Sequence, residues 1–131
     1  MQHLDAIREA LPDAAKDLKI NIQSVLKPER LTEAQTLGTA LASAWFLASP
    51  NAIALAEALQ KDAEAAGVDA GVIDDARAAA ALMGMNTTYY RFRHLMGNDS
   101  SYAKMPPQLR MMRIAKHTSD KATFELMSMA C

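Results

Sequence analysis

Side chains able to do chemistry are few in this sequence and far apart. The three histidines, His3, His94 and His117, fall in separate segments with no ligand spacing between any pair. Each reads as an ordinary surface or helix-end histidine. The single cysteine, Cys131, is the last residue. One sulfur excludes a disulfide framework and a cysteine zinc site. No base or helix N-terminus beside it in the sequence would lower its pKa, so Cys131 reads as a small buried hydrophobe. Nine methionines are spread at helical spacing, which suits core filling better than metal binding. Tyr89, Tyr90, Arg91, Phe92 and Arg93 crowd about one helical turn. That is a packing face with exposed arginines rather than a platform for nucleic acid. Glu125 lies between Phe124 and Leu126 and at i, i+4 from Lys121. Spacing alone reads it as a solvent-facing partner of that lysine, worth a few tenths of a kcal/mol. No catalytic constellation, bound cofactor or metal set emerges from these positions.

The elements that would position these groups are helical. Half of the 131 residues are hydrophobic, yet aromatics make up only 5%. Alanine, leucine and methionine dominate, β-branched residues are sparse, and no stretch alternates with period two. That composition predicts an all-α fold. The length suffices for one domain with a real core. A net charge of -1 gives no electrostatic case for nucleic acid or an anionic membrane surface. No apolar run reaches the ~18 residues of a membrane span. The opening MQHLDAIREA lacks the basic-then-apolar order of a signal peptide, so a cytoplasmic protein is expected.

Periodicity and capping signals predict helices near 2–10, 12–26, 32–48, 50–66, 70–95, 106–115 and 119–131. In the first, Leu4, Ile7 and Leu11 share a face. Pro12 opens the second, whose stripe is Ala15, Leu18, Ile22, Val25 and Leu26; Lys27-Pro28 ends it. Thr32-Glu33-Ala34-Gln35 has the form of a capping box, ahead of a helix with Leu37, Leu41, Ala44, Trp45 and Ala48 inward. Gly38, Ala42 and Ser43 keep part of it thin. Ser49-Pro50 starts the next helix, with Ile53, Leu55, Ala56 and Leu59 inward, and Gly67 marks its end.

The stretch Ala76–Leu95 is expected to organise the rest. Its alanine run, Ala78 to Ala81, is the strongest helix former in the chain. Met83-Gly84-Met85-Asn86 is expected to break the helix near 84–86. Tyr89, Tyr90 and Phe92 should give neighbouring helices something to pack on, inside a bundle that wraps this element. Gly97 to Met105 reads as a loop, and Pro106-Pro107 opens a short helix bearing Leu109, Met112 and Ile114. Thr118 or Ser119 should cap the last helix, whose apolar side is Phe124, Leu126, Met127 and Ala130. That helix has no C-terminal stop signal, which predicts a helix cut rather than finished, in a truncated or proteolysed chain.

Five stretches line up, in order, with one known family. LPDAAKDLKINIQSVL at 11–26, LGTALASAW at 37–45, AAAALMGMNTTYYRFRHL at 78–95, MPPQLRM at 105–111 and FELMSMA at 124–130 resemble AhpD-type alkylhydroperoxidases. These belong with the carboxymuconolactone-decarboxylase-like helical proteins. The resemblance implies an AhpD-like helical bundle and a homo-oligomer, commonly a trimer. It also implies reduction of organic hydroperoxides, with electrons passing from a lipoyl-bearing acyltransferase to a peroxiredoxin; the lipoyl dithiol belongs to the partner. The family's reaction centre is a C-x-x-C pair followed by a histidine, with an earlier glutamate in a proton relay. A thiolate must form to attack, so a base must draw off the proton. The second cysteine then closes a disulfide, which a dithiol reopens.

Only the glutamate carries over: Glu125 in FEL matches the relay acid, which reverses the reading from spacing. The family's cysteine pair would come about a dozen residues after it, beyond Cys131. Cys131 therefore matches a plain helix position and not the attacking thiol. The 131 residues are a single AhpD-like domain, C-terminally incomplete by this reading, and are expected to lack peroxidase turnover by themselves. The cut is expected to strip cover from Leu126, Met127 and Ala130. The alternative is a non-catalytic helical module of the same fold that only oligomerises. A lactone decarboxylase of the wider superfamily fits less well, because the region ahead of FEL is long.

Overall fold

A computed structural model describes every residue except Pro28. The expected helix stop at Pro28 therefore lies outside the described residues. The chain is all-α, with no strand among the described residues. The helices are α1 (Gln2–Ala10), α2 (Lys16–Val25), α3 (Glu33–Leu47), α4 (Pro50–Ala65), α5 (Ala70–Leu95), α6 (Ser101–Lys104), α7 (Met112–Ala115) and α8 (Lys121–Met129). A 3-10 turn, Asp13–Ala15, precedes α2.

Helix α3, rather than α5, is the hub: it packs against α4, α5 and α8. Its start is the expected capping box. Thr32 Oγ1 accepts the Gln35 amide at 3.2 Å, and Gln35 Oε1 accepts the Thr32 amide at 3.1 Å. Leu37, Leu41, Ala42 and Ala44 are buried. Gly38 is where thinness matters. A Cβ there would lie 3.0 Å from Met127 Sδ and 3.1 Å from Val72 Cγ1, so the missing side chain lets α5 and α8 close on α3. Ala48, expected inward, instead takes a left-handed conformation (φ 49) that ends the helix.

Helix α4 begins as read, with Ser49 Oγ accepting the Ala52 amide at 3.2 Å and Pro50 in the first turn. Ala56 and Leu59 are buried, but Ile53 faces out and Ala52 and Ala63 take inward places. The end of α4 is a Schellman arrangement. Gly67 has φ +77, its amide donates to Glu64 O at 3.1 Å, and the Val68 amide donates to Ala63 O at 3.0 Å. Only glycine adopts that φ without steric cost.

Larger departures from the expected helices follow. First, α5 runs unbroken through residues 84–86. An isolated glycine costs a helix only about 1 kcal/mol, and the first half of α5 is anchored by buried Val72, Ile73, Ala76, Ala79 and Ala80. Second, only that half lies inside the bundle. Tyr90, Phe92 and Leu95 are 44%, 54% and 68% exposed, so the aromatic end is not wrapped. Third, residues 106–111 form no helix, and the helix near 106–115 shrinks to one turn, α7. Met105 before the two prolines is extended (ψ 139) and Gln108 has φ 50, neither of which continues a helix. A one-turn helix, α6, forms instead inside the expected loop, capped by Ser100 Oγ on the Ala103 amide at 3.1 Å. Fourth, the stripe of α2 is only half used. Ile22 and Leu26 pack on the core, whereas Leu18 and Val25 are exposed.

Candidate active site

Helix α8 carries Glu125, and its local sequence explains how it is placed. Asp120, not Thr118 or Ser119, is the N-cap: Oδ1 accepts the Thr123 amide at 3.0 Å and Oδ2 accepts Thr123 Oγ1 at 2.5 Å. The hydrogen bonds from the Thr123 hydroxyl and amide hold the Asp120 carboxyl below its usual pKa. Gln35 Nε2 donates to Thr123 Oγ1 at 3.3 Å, tying the α3 capping box to the first turn of α8. Phe124 and Met127 enter the core between α3 and α5. Met127 is fully buried, so the expected loss of its cover does not occur; Met129 is 84% exposed. Leu126 is half-buried, Ala130 is exposed, and α8 ends at Met129 rather than at 131.

Glu125 points outward. Its carboxylate lies 3.6 Å from Lys121 Nζ, the i, i+4 contact that spacing suggests. It also stands at the edge of a depression of about 360 Å³, walled by Leu82, Met83, Ile114, Phe124 and Met129. An acid on an apolar rim can exchange a proton with whatever enters, directly or through one water.

The other reactive groups are only partly brought together. His3 starts α1 and His94 sits in the last turn of α5, both exposed and neither lining this depression. His117 is half-buried rather than on the surface. Its ring stacks on Phe124 with centroids 5.5 Å apart, and Nδ1 lies 2.6 Å from the Ser119 carbonyl oxygen. A carbonyl only accepts, so that contact assigns the ring proton to Nδ1. Cys131 packs against the core with Sγ 3.3 Å from the Met127 carbonyl oxygen. Burial pushes its thiol up to about 11, which keeps it protonated and poorly nucleophilic at neutral pH.

The group that sequence reasoning missed is Asp75, in the second turn of α5 and 0% exposed. One carboxylate oxygen, Oδ2, accepts the amides of Thr118 (2.8 Å) and Ser119 (2.6 Å) and the Ser119 hydroxyl (2.7 Å). The other, Oδ1, accepts Arg113 Nε at 3.1 Å and an Arg113 terminal nitrogen at 2.8 Å. Arg113 also pairs with Asp74 at the surface. Burial alone would raise the Asp75 pKa, but the hydrogen bonds from Ser119, Arg113 and Thr118 together outweigh it and hold it below the usual value. In turn the hydrogen bonds to Asp75 and Asp74, with their charges, raise the pKa of Arg113. Gly71 completes the arrangement: a Cβ there would come within 2.5 Å of Thr118 Cγ2. The signal was present in the sequence, since residue 75 falls on the stripe of Val72, Ile73, Ala76 and Ala79.

Fold and site define a helical protein with a solvent-facing acid on α8 and, ahead of that helix, a buried aspartate paired with a partly exposed arginine. No family model matches the chain. It is 52% identical over 130 residues to the alkyl hydroperoxide reductase AhpD of Anaeromyxobacter dehalogenans (strain 2CP-1 / ATCC BAA-258), covering 99% of this chain and 67% of the relative. The proteins of the same name from Brucella suis (strain ATCC 23445 / NCTC 10510) and Rhodopseudomonas palustris (strain BisB18) are 46% and 42% identical. Each of these two matches covers 97% of this chain, with 70% of the former and 67% of the latter relative. The chain belongs to the AhpD alkyl hydroperoxide reductase family and spans about two thirds of the length of these relatives.

Proposed function

We propose that this chain serves in the reduction of organic hydroperoxides, as the helical scaffold that presents Glu125 as the relay acid beside a C-x-x-C dithiol. The observation that carries the reading is the 52% identity, across 99% of the chain, to a protein named as an alkyl hydroperoxide reductase. In the step itself a thiolate attacks the terminal peroxide oxygen and the O–O bond breaks. The alcohol leaves, the sulfur becomes a sulfenic acid, and the second thiol expels water as the disulfide forms. Overall, the dithiol loses two electrons and the peroxide gains them. Glu125 takes the proton from the attacking thiol, directly or through water. A lipoyl dithiol on an acyltransferase partner reopens the disulfide, and a peroxiredoxin is a second electron acceptor. The working form is a homo-oligomer, a trimer by family resemblance, in the cytoplasm. No helix is long and apolar enough to cross a membrane among the described residues.

These 131 residues hold one cysteine and so cannot close an intramolecular disulfide. Dihydrolipoamide-dependent peroxide reduction by the 131 residues should be absent. It should be present in a form of the protein in which a C-x-x-C segment follows Cys131, and Glu125→Gln should slow it there. Turnover by the 131 residues alone would overturn the reading. The second reading, a non-catalytic oligomerisation module, is favoured by the Lys121 pairing of Glu125, which gives the acid a surface role. A coding sequence that stops after Cys131 would select it.

A further inference from the structure

Asp75 has no route to a substrate, since it is wholly buried, yet it holds the segment that leads into α8. Among the described residues, apart from the Ile114 amide that donates to the Met111 carbonyl, every hydrogen bond that residues 112–119 make beyond their own segment ends on Asp74 or Asp75. That segment follows the irregular residues 106–111 and contains one helical turn. It has little else to fix its register. The amides of Thr118 and Ser119 are pinned to one oxygen, which leaves Asp120 as the next residue and the N-cap.

We propose that Asp75, clamped by Arg113, is a positioning residue: it sets where α8 begins and therefore the direction in which Glu125 faces. The functional half of this inference rests on the reading of Glu125 given above. A slip of one residue at the start of α8 would turn each of its side chains by about 100°. Glu125 would leave the depression and the core residues Phe124 and Met127 would leave their seats. A buried ion pair is a poor source of net stability compared with apolar packing, but it tolerates few alternative arrangements. Register, rather than stability, is what this clamp supplies.

The test begins with amide hydrogen exchange on the 131-residue chain as wild type, Asp75→Asn and Arg113→Gln. Amides of residues 124–129 should exchange about tenfold faster or more in both variants, while those of Leu41 to Ala44 in α3 stay within about twofold, because the loss is local. If Asp75→Asn does not fold, Arg113→Gln carries the same comparison, since its guanidinium reaches the surface. Equal acceleration in α3 and α8, or none in either, overturns the clamp. In a form of the protein that reduces peroxide, Arg113→Gln should lower kcat at unchanged KM, and Arg113→Lys should restore part of it. Wild-type kcat in Arg113→Gln, with α8 loosened, overturns the positioning role. Wild-type turnover in Glu125→Gln overturns the Glu125 reading itself, a failure distinct from that of the clamp.

Discussion

The two ends of the chain are each docked by a buried aspartate that receives backbone amides from a helix start, and they differ in what surrounds it. At the N-terminal end, Asp62 of α4 accepts the amides of His3 (3.0 Å) and Leu4 (2.8 Å) and caps α1 from outside. At the C-terminal end, Asp75 accepts two amides, a hydroxyl and a guanidinium. Asp62 has two donors and one buried neighbour on α1, Leu4; beyond it the α2 stripe opens to solvent. Asp75 has a counter-ion, and the helix it feeds is packed on both α3 and α5. A cap alone attaches an element. A cap joined to an ion pair and a packed face also fixes its rotation, which matters only where a side chain must point one way.

The largest expected break is Asp75→Ala. It strands three polar donors and a partly buried guanidinium, so urea denaturation should show a loss of about 3 kcal/mol. That is the low end for a broken buried pair, because Arg113 reaches water. Gly38→Val should follow, at about 1–3 kcal/mol, since the added atoms meet Val72 and Met127 where a Cβ alone is already tight. Asp62→Ala should cost about 1–2 kcal/mol and free α1 alone, visible as faster exchange in residues 4–8 with α8 unchanged.

Acid should loosen the Asp75 end. The Asp75 pKa is lowered on folding, so its contribution is present above the unfolded value near 4 and is lost as pH falls through the lower folded value. Stability measured against pH should therefore drop below about pH 4 in wild type and less steeply in Asp75→Asn. The smallest effect is expected at Lys121→Ala, a few tenths of a kcal/mol, because its partner Glu125 is in water. A large loss there would mean that Glu125 is structural.

Much of the fold was legible because it follows from local chemistry. The all-α class, the Thr32–Gln35 box, the Ser49-Pro50 start, the Gly67 stop and the thin face at Gly38 are each set by residues within a turn or two of one another. The lysine partner of Glu125 was legible for the same reason, through the i, i+4 rule. Where the helix signals were weak, packing or backbone geometry decided. Gly84 was outvoted by the buried first half of α5, and Pro106-Pro107 did not start a helix because Gln108 turned left-handed.

What the sequence by itself determined is therefore most of the helices, most of their caps and an acid on α8 with a lysine one turn before it. What only the tertiary structure decided is which helix is the hub, which half of α5 is inside, and that Asp75 closes on a loop some forty residues away. Hydrophobic period and capping residues act within a few positions and can be read along the chain. The partner of a buried charge is chosen by where two distant segments meet, and no local pattern carries that information.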